Sequence, residues 1–295
     1  MRDLTESNLT DTVLAQIDHG ADARFTRLAA SMIRHLHAFV RETELTEAEW
    51  FAGIQFLTAT GHKCDDRRQE FILLSDTLGV SMLVDAINHR KPSGAAETTV
   101  LGPFYRPGAP DRPMWADIFD GLPGSDGGPP GEPTYLSGRV IDTDGKPIAG
   151  ATLDVWQTDS EGMYDVQRPG GAAAYARGRF NTGPDGRFGL RTVKPVSYAI
   201  PTDGPVGVML AAMGRHPFRP AHVHMIVSAP GFAPVTTHLF VAGDPYLDTD
   251  AVFAVKQSLI VDFVSHPAGP TPDGGASPTP FRTASYDFRL VRQAE

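Results

Sequence analysis

The chain of 295 residues has little cysteine, no long apolar run and no excess of positive charge. Its single cysteine, Cys64, excludes an internal disulfide and a metal cluster built from several thiolates. A net charge of -9 argues against the concentrated basic surface that nucleic acids and anionic membranes require. No stretch approaches the roughly 18 apolar residues of a membrane span, and the first residues lack an apolar signal core. We therefore expect a cytoplasmic protein in which histidine, carboxylate or tyrosine holds any metal.

Residues 1–90 predict an N-terminal helical domain. Between residues 25 and 40, apolar side chains recur at helical spacing, at Phe25, Leu28, Ala29, Met32, Ile33, Leu36 and Val40. A second helix should begin near Thr46, because Thr46 and Glu49 have the spacing of a capping box. A third helical stretch covers residues 68–90 and should break near Gly79.

The rest of the chain predicts a different architecture. Residues 91–134 are crowded with proline and glycine, which favours a connection, and the apolar stretch TTVLGPFY within it should line a pocket. Residues 135–295 contain many short strands with turn signals, among them Asp144-Gly145 and Asp185-Gly186. This pattern favours a β-sandwich. The expected fold is mainly β with α, a β-sandwich catalytic core preceded by a helical domain.

The stretch RPAHVH places His222 and His224 two residues apart in a predicted strand. Side chains at i and i+2 share one face of a strand about 6.6 Å apart, so both imidazoles could reach one metal ion. They could equally be ordinary sheet histidines. His238 or Asp244 would complete a zinc site of the kind found in hydrolases, whereas Tyr164 and Tyr198 would complete a different one.

These motifs together resemble the intradiol ring-cleaving dioxygenases, the catechol and hydroxyquinol 1,2-dioxygenases. The resemblance covers nearly the whole chain, from the helical part through TVLGPFY to the ordered series Tyr, Tyr, R-P-x-H-x-H. It implies one Fe(III) per subunit, with four protein ligands: Tyr164, Tyr198, His222 and His224. It also implies that Tyr198 is the ligand that substrate displaces, and that Arg219 is the active-site arginine.

The charges of these ligands suit a ferric ion. Free phenols ionise near pH 10, but a bound cation favours the phenolate. Two phenolates and one hydroxide cancel the charge of Fe(III), which leaves a neutral centre that can be buried. In the reaction that the resemblance implies, a chelating diol and O2 give a cis,cis-muconate, and Arg219 stabilises negative charge on the substrate.

The resemblance also carries over a set of substrate-binding positions: Leu73, Asp76, Val100, Gly102, Pro103, Phe104, Ile200, Pro201, Arg219 and Val252. Most are apolar, and Asp76 is the exception. An aspartate here resembles the hydroxyquinol (benzene-1,2,4-triol) branch, because a carboxylate can accept a hydrogen bond from a third hydroxyl. We therefore predict a hydroxyquinol 1,2-dioxygenase activity, with catechol or chlorocatechols as the alternative substrates.

The resemblance further implies a homodimer through the N-terminal helices, with a phospholipid bound at the interface. Apolar helix faces are equally consistent with an ordinary core. Two functions of other classes stay open, a zinc hydrolase that uses His222 and His224, and a non-catalytic β-sandwich binding module.

Overall fold

The computed structural model describes residues 2–17, 22–66, 68–120, 131–168 and 175–293. The chain forms two compact units, Met1–Ala59 and Thr60–Glu295. Residues 121–130, one part of the Gly/Pro-rich predicted connection, lie outside the described residues. The division at residues 90 and 134 stays a prediction.

The N-terminal helices begin where the sequence supplies caps. They are α1 (Leu9–Leu14), α2 (Ala23–Thr43) and α3 (Glu47–His62). The carboxylate of Asp22 caps α2 by accepting from the backbone N–H groups of Arg24 and Phe25. The predicted capping box of α3 is confirmed, because Glu49 N–H donates to the Thr46 hydroxyl and Thr46 N–H donates back to the Glu49 carboxylate.

Three further helices belong to the second unit, α4 (Glu70–Thr77), α5 (Val80–Asn88) and α6 (Pro205–Ala212). The predicted break between α4 and α5 is confirmed at Gly79, which has a φ of 74°. Glycine adopts this left-handed conformation without the strain of a Cβ atom. No helix among the described residues is both long and apolar enough to cross a membrane.

Fourteen strands are found in the described residues, and most of them form two five-stranded sheets. The first sheet has the order β10-β13-β1-β14, with β4 also paired to β1, and the second has the order β3-β2-β7-β8-β9. The strand bounds are β1 Pro133–Asp142, β2 Thr152–Trp156, β3 Arg177–Asn181, β4 Arg187–Val193, β5 Tyr198–Ala199, β6 Phe218–Arg219, β7 His222–Ser228, β8 Val235–Val241, β9 Ile260–Val261, β10 Val264–His266, β11 Gly269–Pro270, β12 Ala276–Ser277, β13 Phe281–Ser285 and β14 Phe288–Leu290.

The core lies between these two sheets. Leu136 and Leu190 from the first sheet join Leu153, Val223 and Met225 from the second in one buried apolar cluster. The predicted β-sandwich is therefore confirmed. Because side chains alternate along β7, Val223 and Met225 fill the core while the two histidines of that strand face the other side.

Both Asp-Gly turns are present, with Gly145 and Gly186 at φ values of 82° and 74°. The strands that flank them, however, belong to different sheets. The chain passes from β1 to β2 and from β3 to β4 by crossing the sandwich. Each Asp-Gly signal therefore indicates where the chain turns, but not which strands pair.

Candidate metal centre and substrate pocket

Four buried side chains bring their donor atoms together on the outer face of the second sheet. The Tyr164 hydroxyl oxygen lies 2.7 Å from His224 Nε2, 3.1 Å from the Tyr198 hydroxyl and 3.4 Å from His222 Nε2. The two histidine Nε2 atoms are 3.1 Å apart. The structure thus brings together all four predicted ligands, from three separate parts of the chain.

Strand pairing aligns two of these segments. His222 and His224 share one face of β7, and Tyr198 on β5 is paired with Arg219 on β6. Because β6 runs almost directly into β7, this pairing holds Tyr198 close to the histidines. Their ring centroids confirm it, with Tyr198 5.6 Å from His222.

Tyr164 is held by a buried ion pair beside it. It immediately precedes a 3₁₀ turn, Asp165–Gln167, and the Arg177 guanidinium donates to the Asp165 carboxylate through Nε at 2.7 Å. Both members of this pair are buried. Phe104 stacks on the Tyr164 ring with centroids 4.7 Å apart. The position of Tyr164 is therefore fixed by the ion pair of the adjacent Asp165 with Arg177 of β3 and by stacking against Phe104 of the TVLGPFY segment.

Each histidine is oriented by a neighbour. His222 Nδ1 lies 2.7 Å from the Pro220 carbonyl, which places the proton on Nδ1 and leaves Nε2 free to act as a ligand. Trp156 stacks on His224 with centroids 4.6 Å apart. Burial and the nearby charge of Arg219 hold the pKa of His222 well below its ordinary value, so the imidazole is neutral, as a metal ligand must be.

The donor set fits a hard, highly charged cation. Burial and the adjacent Tyr198 raise the pKa of Tyr164 well above its ordinary value, so the protein alone keeps this phenol protonated. A cation among the four donors would reverse that preference and stabilise the phenolate. Two phenol oxygens and two neutral imidazole nitrogens therefore make a site that suits a ferric ion better than a structural zinc.

Of the two residues predicted to complete a zinc site, His238 lies beside the histidines and Asp244 does not. His238 is the cross-strand partner of His224, and its ring lies 4.1 Å from that of His224. Ligand atoms of His222, His224 and His238 all lie within 4.8 Å of one another. The Thr99 hydroxyl contacts His238 Nδ1. Asp244, by contrast, accepts from the Ser197 hydroxyl and the Ala221 N–H, so it is engaged elsewhere.

A small cavity of about 180 Å³ is lined by four of the predicted pocket residues, Leu73, Pro103, Phe104 and Pro201. Its remaining lining residues are ones that the motifs did not indicate: Arg68, Gln69, Glu70, Val166 and Gln167. Ile200 packs in the same apolar cluster as Leu73 and the two tyrosines, while Val100 and Val252 pack together in a neighbouring cluster. These residues stay predictions as substrate contacts.

Gly102 shows why a small residue is needed beside the histidines. A Cβ atom at this position would lie 3.3 Å from His224 Cε1, and its φ of 78° is one that other residues rarely adopt. A larger side chain here would press on the His224 ring.

Asp76 is buried on α4, with 3% of its surface exposed. Burial raises the pKa of this carboxyl above its ordinary 3.8, although the Ser81 hydroxyl and the Arg219 charge both lower it, and Asp250 raises it further. It is a buried acid that lies close enough to Arg219 for the charge of the guanidinium to affect its pKa.

Arg219 is equally buried and makes an ion pair that the motifs did not predict. Its Nε donates to Asp250 Oδ1 at 3.1 Å and its Nη2 donates to Asp250 Oδ2 at 3.3 Å. Its Nη1 lies 3.3 Å from His222 Nε2. Burial opposes the charge on Arg219, but Asp250 and the two tyrosines raise the pKa of the guanidinium above its ordinary value. No sequence signal distinguishes Asp250 from the neighbouring aspartates.

Two family models match the chain. One, described as "Dioxygenase", covers residues 102–292, and the other, described as "Catechol dioxygenase N terminus", covers residues 22–96. Together they span both the helical part and the sandwich that carries the site.

Individual relatives are similar over almost their whole length. The chain is 50% identical to the hydroxyquinol 1,2-dioxygenase of a Rhizobium species, over 97% of this chain and 96% of that one. It is 50% identical to the 6-chlorohydroxyquinol 1,2-dioxygenase of Cupriavidus pinatubonensis, over 91% and 95%. The crystal structure of hydroxyquinol 1,2-dioxygenase from Pseudomonas putida superposes with a TM-score of 0.89 at 49% identity, covering 98% of this chain and 99% of that one. Site, fold and relatives agree: the chain belongs to the intradiol ring-cleaving dioxygenases.

Proposed function

We propose that this enzyme cleaves hydroxyquinol with O2 between its two adjacent hydroxylated carbons. The product is 3-hydroxy-cis,cis-muconate, which tautomerises to maleylacetate. The observation that carries the choice of substrate is Asp76, a buried carboxylate that interacts with the charge of Arg219. Two of the relatives described above have names that give hydroxyquinol or its 6-chloro derivative as their substrate.

One Fe(III) per subunit would be held by Tyr164, Tyr198, His222 and His224, whose donor atoms already meet at one point. When bound, the ferric ion stabilises the phenolates and makes a coordinated diol reactive toward O2. The neutral imidazoles add no charge, so the two phenolates provide the negative charge that a buried ferric ion needs.

The two tyrosines differ in how firmly they are held. Tyr164 is fixed by the Asp165–Arg177 pair and by Phe104, whereas Tyr198 lies on a two-residue strand and is more exposed, at 7% against 1%. Tyr198 is therefore the one free to move when a diol enters. Its hydroxyl oxygen would accept one of the two protons that the diol loses, and Tyr164 would keep its position.

Arg219 acts on the substrate rather than on the protein fold. Its Nη1 is the part of the guanidinium nearest the donor cluster. A buried, preoriented cation stabilises negative charge that develops on the substrate as the ring loses its aromatic character. The apolar residues that pack with Tyr164 and Tyr198, among them Leu73, Phe104 and Ile200, exclude water from the site and so strengthen that interaction.

Asp76 provides the selection between substrates. Its carboxylate can accept a hydrogen bond from the third hydroxyl of hydroxyquinol, which compensates for its burial. With catechol it stays buried without that additional hydrogen bond. A site built around a substrate hydroxyl rejects analogues that lack it, by as much as 10⁴-fold in the strongest cases.

The test is a steady-state comparison of kcat/KM for hydroxyquinol and catechol with the purified, iron-loaded enzyme. We expect a clear preference for hydroxyquinol. A preference for catechol would refute the choice of substrate, although membership of the family would stand.

Chlorinated substrates form a second candidate group. The name of the Cupriavidus relative gives 6-chlorohydroxyquinol as its substrate, and Val100 and Val252 belong to one buried apolar cluster that would accept a halogen. Rates for 6-chlorohydroxyquinol and 3-chlorocatechol in the same assay separate the effect of the third hydroxyl, which Asp76 would bind, from the effect of the halogen. If Asp76 dominates, only the chlorinated triol is turned over well.

We also propose a homodimer through the N-terminal helices, with a phospholipid at the interface. The residues predicted to form one apolar face of α2 are largely exposed in the single chain, with Phe25 at 67% and Met32 at 59%, and α3 exposes Trp50 and Phe51. A contiguous apolar surface of this kind marks an interaction site.

Light scattering coupled to size-exclusion chromatography tests the dimer, and Met32→Glu should shift it toward monomer. A monomer at all concentrations of the unaltered protein would rule the dimer out. Organic extraction followed by mass spectrometry tests the lipid, and a preparation free of phospholipid would remove it from the proposal.

A further inference from the structure

We propose that Asp250 is a positioning residue for Arg219, which it orients and compensates so that one edge of the guanidinium is left for the substrate. The inference rests on the proposed function, because it assumes that Arg219 stabilises charge on a bound diol. Asp250 itself touches none of the predicted metal ligands in the contacts of the described residues.

The contacts of Arg219 divide its donors into two groups. Nε and Nη2 both donate to the two oxygens of Asp250, a side-on, two-bond arrangement that fixes the plane of the guanidinium as well as its position. Nη1 makes no hydrogen bond to Asp250, and it lies 3.3 Å from His222 Nε2. The ion pair therefore determines which donor faces the metal centre.

Asp250 is in turn held by its own loop. Its carboxylate accepts from the backbone N–H groups of Val252 at 3.3 Å and Ala254 at 3.0 Å. The same loop is attached to β6, because Ala251 N–H donates to the Phe218 carbonyl at 3.1 Å. Phe218 precedes Arg219, so Asp250 and its partner are connected through the backbone as well as through their side chains.

Arg215 ties this loop to α4. Its guanidinium donates to the Ala251 carbonyl at 2.9 Å and to the Thr77 carbonyl at 2.5 Å. Thr77 follows Asp76, the residue proposed to select the substrate, and Val252 is one of the predicted pocket residues. The loop of residues 250–254 thus sets the position of Arg219 and is anchored to the helix that carries Asp76.

Because Asp250 compensates the charge of Arg219, Asp76 does not have to. No ion pair joins Asp76 to Arg219 in the part of the chain that the structure describes, although the charge of Arg219 lowers the pKa of Asp76. With Asp250 already paired to the guanidinium, Asp76 remains available to a substrate hydroxyl. Without Asp250, the buried arginine would lose the partner of its only ion pair among the described residues.

The experiment is a double-mutant cycle on kcat with hydroxyquinol as substrate, using Asp250→Asn, Arg219→Gln and the double variant. Asparagine can keep one acceptor for the loop N–H groups but loses the charge and one of the two bonds to Arg219. We expect Asp250→Asn to lower kcat roughly tenfold to a hundredfold, the scale of a lost or misaligned electrostatic contact. In the Arg219→Gln background the same change should have less than about a twofold effect, because Asp250 acts through Arg219.

Two further measurements separate positioning from a general structural role. Iron content should stay at that of the unaltered enzyme, and the Kd for hydroxyquinol without oxygen, followed by the visible spectrum, should change much less than kcat. Asp248→Asn is the matched control, since Asp248 is an exposed aspartate two residues earlier in the same loop. It should leave kcat unchanged.

Asp250→Glu keeps the charge, although its longer side chain displaces the guanidinium, so it should lower kcat by less than Asp250→Asn does. The cycle is run with Asp250→Glu if the asparagine variant does not fold. Equal losses from the change at Asp250 in both Arg219 backgrounds would overturn the proposal, as would an unchanged kcat or a loss of iron that matches the loss of activity. If the unaltered enzyme instead prefers another diol, the proposed substrate is wrong, and the cycle run with that diol still tests Asp250.

Discussion

Asp250 and Asp76 lie in two different regions and are equally buried, with 4% and 3% of their surfaces exposed. On the loop of residues 250–254, Asp250 receives two bonds from Arg219 and two from backbone N–H groups. On α4, Asp76 has no ion pair within the described residues, and burial raises its pKa. The difference teaches that the protein compensates the charge of one carboxylate with an ion pair and leaves the other without one, which is what the proposed role of Asp76 in binding a substrate hydroxyl requires.

The largest effect should come from removing the satisfied carboxylate. Asp250→Ala leaves the buried Arg219 charge without its partner, and breaking a buried pair in this way lowers the free energy of unfolding by about 3–5 kcal/mol. Asp76→Leu removes a buried acid that has no ion pair within the described residues, and should leave the stability unchanged or raise it. Urea denaturation of both variants at equal iron content measures this, with Asp248→Ala as the exposed control. Equal losses at positions 250 and 76 would contradict the comparison.

The next effect concerns substrate selection. Asp76→Leu removes the acceptor for the third hydroxyl and also removes the desolvated charge that penalises catechol. A hydrogen bond to a charged group contributes about 1.5–3 kcal/mol, so the ratio of kcat/KM for hydroxyquinol over catechol should fall roughly 10- to 150-fold. Paired progress curves with the two substrates give this ratio directly. An unaltered ratio would show that another wall of the pocket selects the substrate.

The smallest effect is on the pH dependence of stability. The pKa of Asp76 is raised in the folded protein, so the folded state binds this proton more tightly than the unfolded state does. The stability that this bound proton contributes is therefore lost as the pH rises from the ordinary pKa of 3.8 through the raised pKa of the folded protein. Asp76→Asn should gain stability relative to the unaltered protein over that range. Thermal unfolding at several pH values tests this, and parallel curves for the two proteins would show that Asp76 titrates normally.

Local signals in the sequence predicted much of the fold. The capping box at Thr46 and the break at Gly79 are both present, because such features depend on residues within one or two turns of each other. The pairing of strands was not predictable in the same way. The Asp-Gly turns mark reversals of direction, yet the flanking strands lie in different sheets, and that choice depends on which apolar faces meet in the core.

In the site, too, the features that depend on nearby residues were predictable and the long-range contacts were not. His222 and His224 are two residues apart on one strand, so their common direction follows from strand geometry alone. The Arg219–Asp250 pair joins residues 31 positions apart. Asp244, Asp248 and Asp250 look alike in the sequence, but the first binds Ser197 and Ala221, the second is exposed and the third makes an ion pair with Arg219. Only the folded chain separates these roles.

The most direct test is the visible spectrum of the purified protein together with its metal content. If Tyr164 and Tyr198 hold a ferric ion beside His222 and His224, the protein should contain about one iron per chain. It should be coloured by phenolate-to-iron charge transfer, and that band should change when hydroxyquinol is added without oxygen. Tyr164→Phe and Tyr198→Phe should each weaken or shift the band and abolish turnover. A colourless protein that carries zinc on His222, His224 and His238, with activity that survives both tyrosine substitutions, would contradict the account.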